Sequence, residues 1–126
     1  MATQGNEIRQ TFVAGADLSA KQYTFVTCNG VTADGENRTV VSPAVGAKVD
    51  GVLINNPGNT RAATVVVFGR TKVKAGGAIP AGAEVQTNAN GQVIAATTGI
   101  RVGKALEAAV ANQIITIDFY PGGNAA

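Results

Sequence analysis

The sequence predicts an all-β fold: a single small β-barrel or sandwich of short strands, entered by an extended N-terminal arm. Three observations lead there. The 126-residue chain holds 16 Val and 8 Ile against 3 Leu, with 13 Thr. β-Branched residues are stiff at χ1 and suit a pleated surface, whereas helical domains lean on Leu. With them come 16 Gly, 4 Pro and 10 Asn, the punctuation of many turns. Between the turn signals lie runs of strand length in which apolar and polar residues alternate. The length is that of one domain, able to bury roughly two-thirds of its unfolded surface without disulfide or metal. It accommodates about 8–10 short strands.

The elements follow in chain order. Residues 1–10 are of mixed polarity with no clear period and contain no apolar h-region, so an extended arm and no signal peptide are expected. The arm runs to residue 12 and meets the fold at Thr11-Phe12-Val13. A turn-like link, Ala14-Gly15-Ala16-Asp17-Leu18-Ser19, feeds the strand Tyr23-Thr24-Phe25-Val26-Thr27-Cys28. Asn29-Gly30 and Asp34-Gly35 are turn pairs, making residues 29–38 a loop or short hairpin excursion. Thr39-Val40-Val41 resumes a strand that Pro43 ends. Residues 49–55 form the next strand, and Asn56-Pro57-Gly58-Asn59 turns the chain.

Residues 62–74 carry the longest β signal. Val65, Val67, Gly69, Thr71 and Val73 fall on one face, and Thr64, Val66, Phe68, Arg70, Lys72 and Lys74 on the other, with Gly69 marking a bulge or bend. The glycine-rich segment 75–85 drops Ile79 and Val85 into the core and turns between them at Pro80 and Gly82, which gives a clip-like shape. Residues 86–95 make a hairpin about Asn90-Gly91. Residues 103–110 fit a strand with a small-residue bulge or one or two helical turns, the strand being favoured by its β surroundings. Residues 113–120 close the fold, with Ile115, Ile117 and Phe119 on one face. The domain thus spans residues 13–120, and residues 121–126 form a tail. A faint echo between residues 51–68 and 103–119 is no more than a chain of few residue types produces by chance.

Composition removes most catalytic chemistry. Without His there is no His-based acid, base or metal ligand, and a lone Cys28 makes neither an intrachain disulfide nor a cysteine-rich zinc site. Eight carboxylates are scattered beside turns, none paired in an apolar setting. Asp34-Gly35-Glu36-Asn37 lacks the alternating oxygen ligands of a calcium loop and is expected to be a turn. Gly76-Gly77 is followed by no helix and no Gly-Lys-Ser/Thr, so it cradles no phosphate. A net charge of +2 without a basic cluster argues against nucleic acid as a direct partner, and no apolar run approaches the ~20 residues of a membrane helix. No cofactor is expected. Arg61, Arg70, Lys72 and Lys74 either meet an acidic partner or protect an exposed strand edge. The aromatic residues Phe12, Tyr23, Phe25, Phe68, Phe119 and Tyr120 are expected to be the large pieces of a Val/Ile core.

The order of these segments resembles the small capsid decoration, or cement, proteins of tailed bacteriophages. The resemblance covers about residues 11–120. It rests on Val13-Ala14-Gly15-Ala16-Asp17-Leu18-Ser19 before Tyr23-Thr24-Phe25-Val26, and on Gly51-Val52-Leu53-Ile54-Asn55-Asn56-Pro57 before residues 63–69. Its most specific piece is Thr71-Lys72-Val73-Lys74-Ala75-Gly76-Gly77-Ala78-Ile79-Pro80-Ala81-Gly82, followed by Gly91 and by Gly103-Lys104-Ala105-Leu106-Glu107-Ala108-Ala109. Residues 29–38 and the polar arm match no part of that pattern. The resemblance implies a non-enzymatic clamp on the outer surface of an expanded capsid, made in the host cytoplasm and carried on the virion. Its partners would be the major capsid protein and its own copies in a homotrimer. Ile8, Arg9, Thr11 and Phe12 of the arm, with Arg61, Arg70, Lys72 and Lys74, are the expected capsid or subunit contacts. The competing reading is another repeating virion or filament subunit, such as a tail-tube, spike or pilus-like protein.

Overall fold

The computed structural model describes residues 8–31, 38–97 and 99–120. Nine strands form among them: β1 (Ile8–Ala14), β2 (Thr24–Val31), β3 (Arg38–Val41), β4 (Gly51–Leu53), β5 (Ala62–Lys74), β6 (Glu84–Thr87), β7 (Val93–Ala95), β8 (Gly103–Ala105) and β9 (Ile114–Phe119). The described residues contain no helix. The first five strands roll into a small closed barrel in the order β1-β3-β2-β4-β5, and β1 shuts it by pairing also with β5. The β1–β5 ladder is antiparallel, and the β1–β3 ladder is parallel with Val13 opposite Thr39 and Ala14 opposite Val40. The extra strands form a second sheet in the order β5-β9-β8-β6-β7.

β5 belongs to both sheets, and Gly69 is where it changes hands. Residues up to Phe68 pair with β1, whereas Gly69 to Lys74 pair with β9. Gly69 has φ = +114°, a conformation open to glycine and strained for other residues. The bend read from the sequence is thus the joint between the sheets. The predicted alternation holds in the second half of the strand: Thr71 and Val73 are buried, and Arg70 and Lys72 are exposed. In the first half Val66 is buried as well as Val65.

Two apolar clusters result. Phe12, Ala14, Leu18, Val26, Val40, Leu53, Ala63 and Val65 fill the barrel. Val73, Val85, Val93, Val102, Ile115, Ile117 and Phe119 build the other beneath the second sheet, joined by Phe25 from β2 and Val52 from β4. Alternate residues of β2 and β4 therefore point into different cores. The Phe25 and Phe119 rings meet with centroids 5.9 Å apart.

Segments 75–85 and 105–115 trace the same path, related by an approximate twofold through Ile79 and Ala109. These two residues exchange backbone bonds of 2.9 Å in both directions. Gly82 N–H donates to Ala105 O, and Asn112 N–H reciprocally to Ala75 O. Gly82 and Asn112 both take positive φ, +82° and +70°. This repeat is not the faint echo between residues 51–68 and 103–119, and its shared positions are isolated small or apolar residues too sparse to stand out in the sequence.

Within residues 103–110 the favoured strand forms as β8, and just beyond it Leu106 N–H donates to Thr116 O of β9. Other expectations shift. Asn29-Gly30 is a bulge inside β2, not its end, with the register against β3 slipping between Cys28 and Gly30. The Asp34-Gly35 pair lies outside the described residues. Only Gly51–Leu53 of the expected 49–55 strand keeps a ladder. Phe68 and Tyr120 are not core pieces: they are 51% and 37% exposed, on the outward side of their strands. The expected arm and the fold overlap at β1, which begins at Ile8, so residues 8–12 are ladder partners of β5.

Candidate functional site

The bend at Gly69 opens a groove between the barrel and the second sheet. β5 supplies Val66, Arg70, Thr71 and Lys72 to it, β1 supplies Arg9, and the residues flanking β4 and β2 supply Ile54 and Tyr23. The groove is open to solvent and encloses about 300 Å³. Its floor is Val66, 1% exposed, with Thr71 beside it.

The walls are fixed by backbone bonds. Tyr23 N–H donates to Leu53 O at 2.6 Å, and Tyr23 O accepts from Lys74 N–H at 2.8 Å. Ile54 N–H donates to Thr64 O at 3.0 Å, while Gln22 Nε2 donates to Ile54 O at 3.0 Å. These bonds hold Tyr23 at φ = +65°, the left-handed region that costs a non-glycine residue roughly 1–2 kcal/mol.

Three of the eight expected contact residues, Arg9, Arg70 and Lys72, converge on this groove. The others do not. Ile8 lies opposite Phe68, both half-exposed. Thr11 is exposed opposite Thr64. Phe12 is buried in the barrel cluster, so its side chain is engaged inside the chain's own fold. Arg61 sits at the turn before β5, its carbonyl accepting from Ala14 N–H. Lys74 ends β5, half-buried. Sequence reasoning missed Tyr23, Ile54 and Thr71 as groove residues. They come together only through the barrel's closure, and nothing in their spacing announces it.

Among the described residues that line the groove, Arg9, Arg70 and Lys72 are cationic and none is a carboxylate. Arg70 Nε donates to Asp118 Oδ1 on β9 at 3.0 Å, in a pair whose side chains are 66% and 38% exposed. Exposed pairs of this kind contribute about 0–1 kcal/mol. Such a lining can hold an anionic group by charge and hydrogen bonding.

Each described carboxylate has a separate partner. Asp118 meets Arg70, and Glu84 meets Arg101 at 2.9 Å. Asp50 accepts from Thr27 Oγ1 and from Cys28 N–H, pinning the β2 bulge. Glu107 accepts from Thr116 N–H and Asp17 from Ser19 N–H, and these bonds to Ser19 lower the Asp17 pKa. No three His, Cys, Asp or Glu side chains cluster as metal ligands among the described residues. Burial, and then the Asp50 charge, push the Cys28 thiol pKa upward.

No protein-family model matches the sequence, and no curated protein matches it. Among solved structures the fold is similar to the crystal structure of the head fiber gp8.5 N base in bacteriophage phi29. The TM-score is 0.72 at 18% identity, over 89% of this chain and 94% of that one. At that identity the likeness speaks to the fold, which the two chains share over nearly their whole lengths.

Proposed function

We propose that this chain is a structural protein of a phage head: a decoration protein that binds the outer surface of an expanded capsid and stabilises contacts between capsomers. The observation that carries the reading is the fold likeness to the base of a phage head fiber, extending over 89% of the chain. The dispersed carboxylates agree with a mechanical rather than catalytic role. The partners in this reading are the major capsid protein and two further copies of the chain in a homotrimer. Repetition on a lattice then lets weak sites reinforce one another.

The experiment mixes purified protein with purified expanded capsids, separates them by sedimentation and images the particles. Saturable, regularly spaced occupancy is expected; unoccupied capsids at saturating protein would overturn the reading. Residues 1–7, which precede β1, are proposed to add contact to the capsid or an adjacent subunit. Removing those seven residues leaves the β1 ladder whole, and undiminished occupancy would remove the arm from the proposal.

A second reading takes the chain as another repeating virion or filament subunit. It is favoured by the structural neighbour being the base of a head fiber. Light scattering of the isolated protein separates the two: rings or stacks support the second reading, and a discrete monomer or trimer supports the first.

A further inference from the structure

We propose that copies of this chain bind one another head to tail, the exposed lobe Leu106, Val110 and Ile114 of one copy seating on Ile8, Phe68 and Tyr120 of the next. The fold carries its own control for the first patch. Segments 75–85 and 105–115 follow one path, in which Ile79 answers to Ala109 and Gly82 to Asn112. Glu84 lies opposite Lys104 just as Ile114 lies opposite Lys74. Gly76, Pro80 and Glu84 therefore stand where the other lobe has Leu106, Val110 and Ile114. One lobe keeps this path with glycine, proline and a carboxylate, so folding gives no reason for three apolar side chains on the other. Val110 is nevertheless 63% exposed and Ile114 49%. Leu106 is tied beside Ile114's strand by its bond to Thr116 O, and Val110 by Gln113 N–H donating to its carbonyl at 3.2 Å. An exposed apolar cluster that the fold does not need marks a contact surface.

The second patch lies at the joint between the sheets. Ile8 faces Phe68 across the β1–β5 ladder, and because Gly69 pairs with Phe119, Tyr120 is the next residue out beside Phe68. All three are exposed. The stretch of β5 from Phe68 to Lys74 keeps the two patches about 20 Å apart, too far to cover each other within one chain. Residues 1–7 and 121–126, which flank the second patch in the chain, offer Met1 as their one large apolar side chain and make a poor cover. Charge favours a copy as the occupant. Arg70 pairs with Asp118 beside the second patch, and Lys74 and Glu107 edge the first. Both patches are thus rimmed by both signs. A partner of one sign gains nothing there, whereas Lys74 and Glu107 of one copy find Asp118 and Arg70 on the next. Apolar centres with a charged rim are the ordinary anatomy of a protein contact. Two different patches make a head-to-tail contact, which either closes into a ring or runs on as a stack.

Closure at three copies rests on the proposed function; the contact itself does not. The test follows the whole protein and its variants by sedimentation velocity over a range of concentrations. The parent is expected to associate as concentration rises. Val110→Ser/Ile114→Glu alters the lobe, its glutamate facing Lys74 as Glu84 faces Lys104, so the fold has a precedent for it. Phe68→Glu alters the other patch, with Phe68→Ser in its place if circular dichroism shows that the glutamate disturbs the fold. Each variant alone should associate about tenfold more weakly or worse. Mixed in equal amounts, the two variants should form a one-to-one pair and nothing larger, because the intact lobe of one still fits the intact patch of the other. Val45→Ser, at an exposed apolar residue on the loop between β3 and β4, should associate as the parent does. A parent that stays monomeric, either patch variant associating like the parent, or a mixture no more associated than its parts would overturn the proposal. Capsid occupancy is read separately. A monomeric parent that still coats capsids removes the head-to-tail contact and leaves capsid binding, whereas bare capsids beside the expected pairing remove the proposed function and leave the contact.

Discussion

Gly51 and Gly103 each open a short strand against the backbone of its partner. A Cβ on Gly103 would press into Asp118 O, and one on Gly51 would lie 2.6 Å from Val66 O with Val65 Cγ1 nearer still. Backbone cannot rotate aside as a side-chain tip can, so the β8–β9 ladder would have to part. Gly103→Ala is expected to destabilise the protein by about 2–4 kcal/mol, as overpacking against fixed atoms does, measured by urea unfolding. Gly82→Ala is the contrast. Nothing lies within 4 Å of its added Cβ, and only φ = +82° opposes it, so about 1 kcal/mol is expected. Equal losses for the two would refute the steric account. Cys28 makes a pH-dependent prediction. Its raised thiol pKa means that fewer thiolates exist at a given alkaline pH than in the unfolded chain. Alkylation of the native protein should thus lag that of the denatured chain, and the gap should narrow as pH passes the raised value. Asp50→Asn should speed the native reaction by removing the second contributor. The linkage has the matching sign: folding favours the protonated thiol, so its stabilisation is full below the unfolded pKa and is lost as pH rises through the folded one.

At the scale of elements, β5 shows what a sequence can reveal and what it hides. Its bounds, its alternating second half and its bend were all legible, because period-2 patterning and an isolated glycine in a strand are local signals. Its role as the shared member of two sheets was not, since pairing partners far along the chain leave no mark on local pattern. The same division runs through the groove: Arg70 and Lys72 stand out as charges near the end of the long strand and Arg9 as a residue of the arm, whereas Tyr23 reads as core. Tyr23's position depends on two backbone bonds, to Leu53 and Lys74, that only the folded chain brings together. Asn29-Gly30 misled for a related reason. A pair that tolerates unusual φ marks a bulge as readily as a turn, and the Asp50 carboxylate on Cys28 N–H holds the bulge open. The joint itself can be tested. Gly69→Val places a β-branched side chain at φ = +114°, which should cost about 2 kcal/mol or more. It should also perturb amide shifts in both β1 and β9. Perturbation confined to β9 would show that the bend does not couple the two sheets.

The whole molecule should unfold as one unit even though it has two apolar clusters. Phe25 and Val52 lie on barrel strands yet pack beneath the second sheet, and β5 runs through both sheets. Separate melting would tear a continuous strand and strip the Phe25–Phe119 contact. Circular dichroism and tyrosine fluorescence are therefore expected to follow a single coincident urea transition; two resolved steps would mean that the clusters are independent. The barrel's closure also dictates an order of events in time. β1 is synthesised first, but its partners are Thr39 and Val40 of β3 and residues 62–68 of β5. The first of these strands to leave the ribosome therefore cannot complete its pairing until the last strand of the barrel has emerged. Until translation passes residue 68, β1 waits without β5, and every closing contact spans a long loop of the kind that slows folding.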